Sequence, residues 1–167
     1  HLSHIGGDLA RALLRFSEAR PLGERGLFWL KVHVANLSGV DKVSFDERVQ
    51  YADDHLEQIY DTATNPFGEP RPGDDTKWWR GTDAPWQTLA ACIELHAALE
   101  SGDPEGFESS LPVHQDGTCN GLQHYAALGG DVEGAIAVNL SPVKDSNKPQ
   151  DVYMRVVDRV NEMVAAH

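Results

Sequence analysis

The chain has 167 residues, enough for one domain with a sizeable core, and its 41% apolar and 24% charged residues are ordinary for a globular protein. Its formal net charge of −12 argues against autonomous nucleic-acid binding, because phosphate contacts need clustered Lys and Arg. No apolar run approaches the roughly 20 residues that cross a bilayer, so no membrane partner is expected.

The two ends of the chain carry no recognisable targeting segment. The first residues lack both a basic region followed by an apolar stretch and an Arg-rich, acid-free presequence. We expect both termini to be cuts, with any targeting signal of the full protein outside this chain. Cys92 and Cys119 form neither a zinc-binding spacing nor a disulfide framework, which favours a reducing compartment.

Apolar periodicity in the first hundred residues predicts four helices. The first follows Asp8 as its N-cap and is stopped by Pro21, and the second covers residues 24–37. The third covers residues 46–62 after an N-cap at Ser44, and the fourth covers residues 84–100 with Pro85 in its first turn. A polar loop at 65–76 separates the third helix from the fourth.

The last sixty residues alternate short extended segments with helices. Residues 109–115 predict a strand before a glycine-containing turn, and residues 120–128 predict a helix. Residues 135–140 predict a second extended segment, and residues 150–165 a final helix whose inner face carries Val156 and Val160. The fold class is therefore mostly α with a few short strands (α+β), and we expect the strand before residue 116 to pair with segments absent from this chain.

The stretch around Asp116 has the composition of a ligand site. A short strand delivers Asp116 to its end, and Gly117 lets the chain turn without a side chain in the way. Mg²⁺ takes one or two carboxylates together with phosphates and water, which suits a carboxylate at a strand end beside open space. The dipeptide Asp116-Gly117 taken alone favours the simpler interpretation of an Asx-type turn.

The longer stretch resembles a known family. One stretch of this chain resembles motif A of the phage-type, single-subunit RNA polymerases, and especially of their mitochondrial members. Its sequence is HQDGTCNGLQHYAALG. Three further stretches of this chain resemble consecutive blocks of the same family, in the same order. They are GLFWLKVHVANLSGVDKVSFDERV, KWWRGTDAPWQTLAACIEL and AVNLSPVKDSNKPQDVYMRVVDRVNE. The resemblance covers nearly the whole chain and implies part of the palm of a right-hand polymerase. Residues 1–108 would be its largely helical insertion, 109–140 the motif A strand–turn–helix, and 141–167 the start of the next helical segment.

The resemblance also implies roles for individual residues. Asp116 corresponds to the palm aspartate that binds both catalytic Mg²⁺ ions, and the carbonyl of Gly117 assists one of them. Lys42 matches a lysine placed near the phosphates of the incoming nucleotide. Arg11 stands where the family has a basic residue near the active-site cleft. Gln123 is expected to support the Asp116 turn or the nucleic-acid path.

The resemblance implies a DNA-directed RNA polymerase of mitochondria or, alternatively, of plastids. Such an enzyme uses a DNA template, an RNA transcript and nucleoside triphosphates, and transcription factors are further possible partners. The family's second metal aspartate and the lysine and tyrosine of its fingers helix lie downstream of motif A and are absent from this chain, so the fragment alone is expected to be inactive. Two alternatives stay open at this point. One is a non-catalytic helical binding module, and the other is a metal-dependent hydrolase centred on Asp116, His114 and His124.

Overall fold

The structure is a computed structural model that describes residues 7–73, 76–113, 117–144 and 146–165. These residues form two compact units. The N-terminal unit contains the described residues up to 113 except 42–44, and the C-terminal unit contains 42–44 and the described residues from 117 onwards. None of the helices within the described ranges combines the length and the apolarity that a membrane span requires.

The N-terminal unit is built mainly of helices. In chain order they are α1 (Asp8–Ala12), α2 (Gly26–Leu37), α3 (Phe45–Asp54), α4 (Leu56–Thr64) and α5 (Pro85–Glu100), with a 3-10 helix at Trp78–Gly81. Its two strands, β1 (Arg20–Pro21) and β2 (Glu108–Ser109), pair antiparallel, with Arg20 opposite Ser109. The predicted fold class, mostly α with little strand, is confirmed.

The core of this unit lies between α2, α3, α4 and α5. Its members are small and branched apolar side chains, all nearly inaccessible to solvent: Leu30, Val34, Leu37, Ala52, Ile59, Ala91, Cys92, Leu95 and Ala98. Beside this core, the ammonium group of Lys77 is buried and donates to both carboxylate oxygens of Asp61, at 2.8 and 3.0 Å. A buried charge needs such a partner, because removing an ammonium group from water is otherwise very costly.

Three predicted boundaries in the N-terminal unit are wrong. The first helix ends at Ala12 instead of approaching Pro21, because the chain from Phe16 onwards runs beside residues 107–110 and donates from Phe16 N to Ser110 O. The predicted helix 46–62 is two helices, α3 and α4, which meet at His55. The His55 ring turns back onto the Tyr51 carbonyl, with Nδ1 2.8 Å from it.

The third error concerns the predicted strand 109–115. Among the described residues of this region only Glu108 and Ser109 are strand, and they pair with β1. The expected pairing of the strand before residue 116 with segments absent from this chain stays a prediction. Residues 110–113 are irregular, and residues 114 and 115 lie outside the described residues. Pro112 has no backbone N–H to donate, so it would remove one hydrogen bond from a strand ladder here.

The C-terminal unit contains three helices within the described residues. They are α6 (Asn120–Gly129), α7 (Val132–Ala137) and α8 (Val152–Ala165). Helices α6 and α8 confirm the predictions to within two residues. The predicted extended segment 135–140 is wrong, because its first half belongs to α7 and residues 138–140 are turn and bend. The N-cap of α7, Asp131, accepts a hydrogen bond from Gly134 N at 3.0 Å. A short apolar run does not by itself distinguish a helix from a strand.

The face of α8 that the sequence predicts to be buried is exposed. Val156 and Val160 are 60% and 51% accessible, and no residue of α8 is buried. Periodicity identifies the apolar face of a helix correctly, but whether that face is covered depends on what packs against it.

Candidate active site

The motif A turn leads directly into α6. Asp116 and His114 lie outside the described residues, and the described part of the turn begins at Gly117. Gly117 is exposed, and the side chain of Asn120 occupies the place where a Cβ at this position would stand. The Oε1 atom of Gln123 would lie 3.3 Å from the same Cβ. A larger residue at 117 would have to displace the exposed side chain of Asn120.

Cys119 has an unusual backbone conformation in this turn. It is the N-cap of α6 and has φ 54° and ψ 64°, a left-handed conformation that is uncommon for a residue with a side chain. Its Sγ atom donates to the hydroxyl oxygen of Tyr153 on α8, 3.0 Å away. The hydrogen bond with Cys119, followed by the charge that the thiol gains on ionisation, raises the pKa of Tyr153.

Asn139 is a second anchor of the turn, and it was not among the site residues predicted from the sequence. Its Nδ2 atom donates to Thr118 Oγ1 at 2.9 Å and to the Gln150 carbonyl at 2.8 Å. Its Oδ1 atom accepts from Gln150 N at 2.7 Å. Asn139 adopts φ 59°, and asparagine is one of the few residues with a side chain that tolerates this region. The residue type alone could have suggested a left-handed turn at Asn139. Its hydrogen bonds to Thr118 and Gln150 could not be predicted from the sequence.

Gln123 connects α6 with the end of α7. Its Nε2 atom donates to the Val138 carbonyl at 2.8 Å, and its side chain is half-buried. Together with the position of its Oε1 atom beside Gly117, this contact agrees with a role in supporting the turn. Its predicted proximity to nucleic acid stays a prediction.

Lys42 belongs to the C-terminal unit although it lies far from motif A in sequence. Its Nζ atom is 3.7 Å from Oδ2 of Asp151, which immediately precedes α8. The side chain of Lys42 is 75% exposed, so a ligand can approach it from solvent. Asp151 was not among the site residues predicted from the sequence.

Arg11 is the remaining predicted site residue and lies in the N-terminal unit, at the exposed end of α1. It borders a small recess together with His33, Gln87 and Pro112. Lys42, Gly117 and Gln123 lie in the C-terminal unit, so the structure brings these three into one compact body and places Arg11 in the other.

The metal-binding capacity of the described residues is limited. Within the described ranges, no three His, Cys, Asp or Glu side chains are grouped so that they could hold a metal ion. His124, which the hydrolase alternative requires, is exposed on α6.

The family model that matches this chain is that of the DNA-dependent RNA polymerases, and the match covers residues 20–167. The chain therefore belongs to the DNA-dependent RNA polymerase family, as its resemblance to the phage-type enzymes predicts.

Several individual polymerases are similar to this chain over nearly its whole length. The mitochondrial DNA-directed RNA polymerase of Mus musculus is 54% identical over 163 residues, which are 97% of this chain and 13% of that protein. The mitochondrial enzyme of Schizosaccharomyces pombe is 51% identical over 160 residues, 96% of this chain and 13% of that protein. The Arabidopsis thaliana DNA-directed RNA polymerase 2, chloroplastic/mitochondrial, is 49% identical over 98% of this chain and 16% of that protein. The chain thus spans about one-seventh of the length of these relatives, and their names agree with the expected mitochondrial or plastid location.

Proposed function

We propose that this chain is the motif A segment of a mitochondrial DNA-directed RNA polymerase and takes part in template-dependent nucleotidyl transfer. The observation that carries the proposal is the 54% identity to a mitochondrial polymerase over 97% of the chain, which includes both the Lys42 block and motif A. The substrates of the whole enzyme would be a DNA template, an RNA transcript and nucleoside triphosphates, and transcription factors could join it at promoters. A plastid enzyme is the alternative location.

The proposed reaction joins a nucleotide to the RNA 3′ end. The 3′-hydroxyl oxygen attacks the α-phosphorus of the nucleoside triphosphate, the bond between that phosphorus and the bridging oxygen to the β-phosphate breaks, and pyrophosphate leaves. Catalysis of phosphoryl and nucleotidyl transfer rests mainly on positioning and on neutralising negative charge. The residues of this chain would contribute to both.

Asp116 and Gly117 fit a Mg²⁺ site by the chemistry of their donor atoms. They offer a carboxylate and the backbone carbonyl of an exposed glycine, which are the hard oxygen ligands that Mg²⁺ prefers. A second carboxylate would have to come from outside this chain. Two bound Mg²⁺ ions supply activation of the attacking hydroxyl and neutralisation of the leaving group.

Lys42 and Arg11 would act on the phosphates. The exposed ammonium group of Lys42 would neutralise charge on the triphosphate, as the family match suggests. Arg11, exposed on α1, would contact nucleic acid near the cleft, whereas Gln123 would stabilise the turn after Gly117.

We also retain the assignment of residues 1–108 to a helical insertion of the palm, 109–140 to motif A, and 141–167 to the start of the following segment.

Replacing Asp116 by asparagine in the full-length polymerase tests the proposal. An amide is a much poorer Mg²⁺ ligand than a carboxylate, so we expect Asp116→Asn to abolish nucleotide addition in a primer-extension assay while the melting temperature stays unchanged. The matched control is Asp158→Asn, which makes the same charge change on the exposed surface of α8. Activity of a tenth of wild type or more for Asp116→Asn would contradict the proposal and favour a non-catalytic binding module.

A further inference from the structure

The two carboxylate oxygens of Asp151 face different groups. Oδ1 accepts hydrogen bonds from Tyr153 N at 3.0 Å and Met154 N at 3.2 Å, which caps the first turn of α8. Oδ2 faces the ammonium group of Lys42 at 3.7 Å. One side chain thus serves as a helix cap with one atom and as an ion-pair partner with the other.

The residues around Asp151 are also fixed to the motif A turn. Gln150 is bonded through both its N–H and its carbonyl to Asn139, which also bonds Thr118. On the other side of Asp151, the hydroxyl of Tyr153 accepts from Cys119. Residues 150–153 therefore connect Lys42 to the turn that follows Asp116, although Lys42 and this turn are about 75 residues apart in sequence.

We propose that Asp151 is a positioning residue that holds the ammonium group of Lys42 in place beside the motif A turn for contact with the triphosphate. This inference rests on the proposed function, because it assumes that Lys42 acts on the phosphates of a nucleotide. Asp151 touches neither substrate nor metal in this scheme and acts only through Lys42.

The physical reason is the flexibility of lysine. An exposed lysine side chain samples many rotamers, so an unrestrained Lys42 would have to be ordered each time a nucleotide binds. The carboxylate of Asp151 is itself only 29% exposed and is fixed by its two backbone hydrogen bonds, which makes it a rigid anchor. At 3.7 Å the pair is loose enough for phosphate oxygens to replace or join the carboxylate when a nucleotide arrives.

The substitution Asp151→Asn separates the two functions of this side chain. Asparagine keeps an oxygen that can cap α8 but replaces the carboxylate charge with a neutral amide, and asparagine is as good an N-cap as aspartate. In the full-length polymerase we expect kcat/KM for single-nucleotide addition to fall about three- to fivefold, which is the range of a surface ion pair. We expect the loss to appear in KM, with kcat within about twofold of wild type and an unchanged melting temperature.

Three comparisons make this test specific. Asp158→Asn, with the same charge change two turns along α8, should leave the kinetics unchanged. In a Lys42→Ala background, Asp151→Asn should have no further effect, because a positioning residue has nothing left to position. Raising the salt concentration should bring wild type and Asp151→Asn together, because ionic screening weakens an exposed ion pair and leaves helix capping intact.

Several results would overturn the inference. A lower KM for Asp151→Asn would mean that Asp151 competes with the phosphates for Lys42. An equal loss in the wild-type and Lys42→Ala backgrounds would mean that Asp151 acts through the fold of α8. If Lys42→Ala itself leaves nucleotide use unchanged, the inference also fails. The proposed polymerase function is judged separately, by Asp116→Asn.

Discussion

Lys42 is a residue whose surroundings alone do not reveal a role. Its side chain is 75% exposed, and exposed loop lysines are most often merely solvated. The structure adds that Lys42 belongs to the same compact unit as Gly117 and Gln123. Kinetics can therefore distinguish a phosphate contact from a solvated side chain.

We expect Lys42→Ala in the full-length enzyme to lower kcat/KM for nucleotide addition by one to two decades. A charge-assisted contact to phosphate contributes on the order of 1.5–3 kcal/mol, whereas a solvated surface lysine contributes within about 0.5 kcal/mol. The measurement is single-nucleotide addition as a function of nucleotide concentration. Lys148→Ala, in an exposed loop of the same unit, is the control. Near-wild-type kinetics for both variants would remove Lys42 from the site.

The two cysteines differ in their environments. Cys92 is fully buried in the core on α5, and burial raises the pKa of its thiol to about 12. Cys119 is half-buried in the motif A turn. Because the thiolate is the reactive form, the two thiols should differ in their rates of chemical labelling.

We expect a thiol reagent at about pH 8 to modify Cys119 in the folded chain and to reach Cys92 only after unfolding. Raising the pH to about 10 should still leave Cys92 unmodified, because its pKa of about 12 keeps it protonated there. Mass spectrometry of the labelled chain identifies the site. In the Cys119→Ser variant no native thiol should react, and rapid labelling of that variant would contradict the buried position of Cys92.

At the scale of single elements, the start of α5 shows an interaction that links distant parts of the chain. The carboxylate of Asp8 accepts hydrogen bonds from Trp86 N at 2.6 Å and from Gln87 N at 3.2 Å. It also accepts from the side-chain Nε2 of Gln87 at 2.9 Å. The sequence predicts Asp8 as the N-cap of its own helix, but α1 has Gly7 as its N-cap and Asp8 instead satisfies the free N–H groups of α5.

Asp8→Ala should therefore destabilise the N-terminal unit, although Asp8 lies almost at the start of the described residues. Loss of a capping side chain costs about 0.5–2 kcal/mol, and we expect about 1 kcal/mol from chemical unfolding of the 167-residue chain. Asp8→Asn keeps an acceptor oxygen and should lose less. Equal stability of wild type and Asp8→Ala would show that α5 does not depend on this cap.

At the scale of the whole molecule, charge and exposed surface both indicate a chain that does not function alone. The net charge of −12 repels phosphate at long range, and α8 exposes apolar side chains such as Val156 and Val160. The relatives are several times longer than this chain, so most of each polymerase lies outside the matched segment.

The isolated chain should synthesise no RNA and bind DNA only weakly. In the proposed scheme Asp116 would need a second carboxylate from outside this chain to hold two Mg²⁺ ions, and the negative charge of the chain opposes a template–primer duplex. Primer extension and fluorescence anisotropy at several salt concentrations test both statements. Tight binding that weakens steeply with salt would contradict the expected weak affinity, because that dependence reports phosphate contacts.

The sequence by itself determined the family and most helices of this chain. Motif A and its neighbouring blocks are contiguous strings that can be recognised without coordinates, and α2, α5, α6 and α8 follow from local periodicity and capping residues. Local patterns did not resolve α7, because a short apolar run fits helix and strand equally well.

Only the tertiary structure decided the pairing of β1 with β2, the capping of α5 by Asp8, and the contact between Lys42 and Asp151. Each joins residues that are between 78 and 109 positions apart, a separation across which no periodic pattern carries information. The first two contacts form because the packed helices of the N-terminal unit bring these segments together, and the free energy that selects them comes from the core of that unit rather than from any local run of residues.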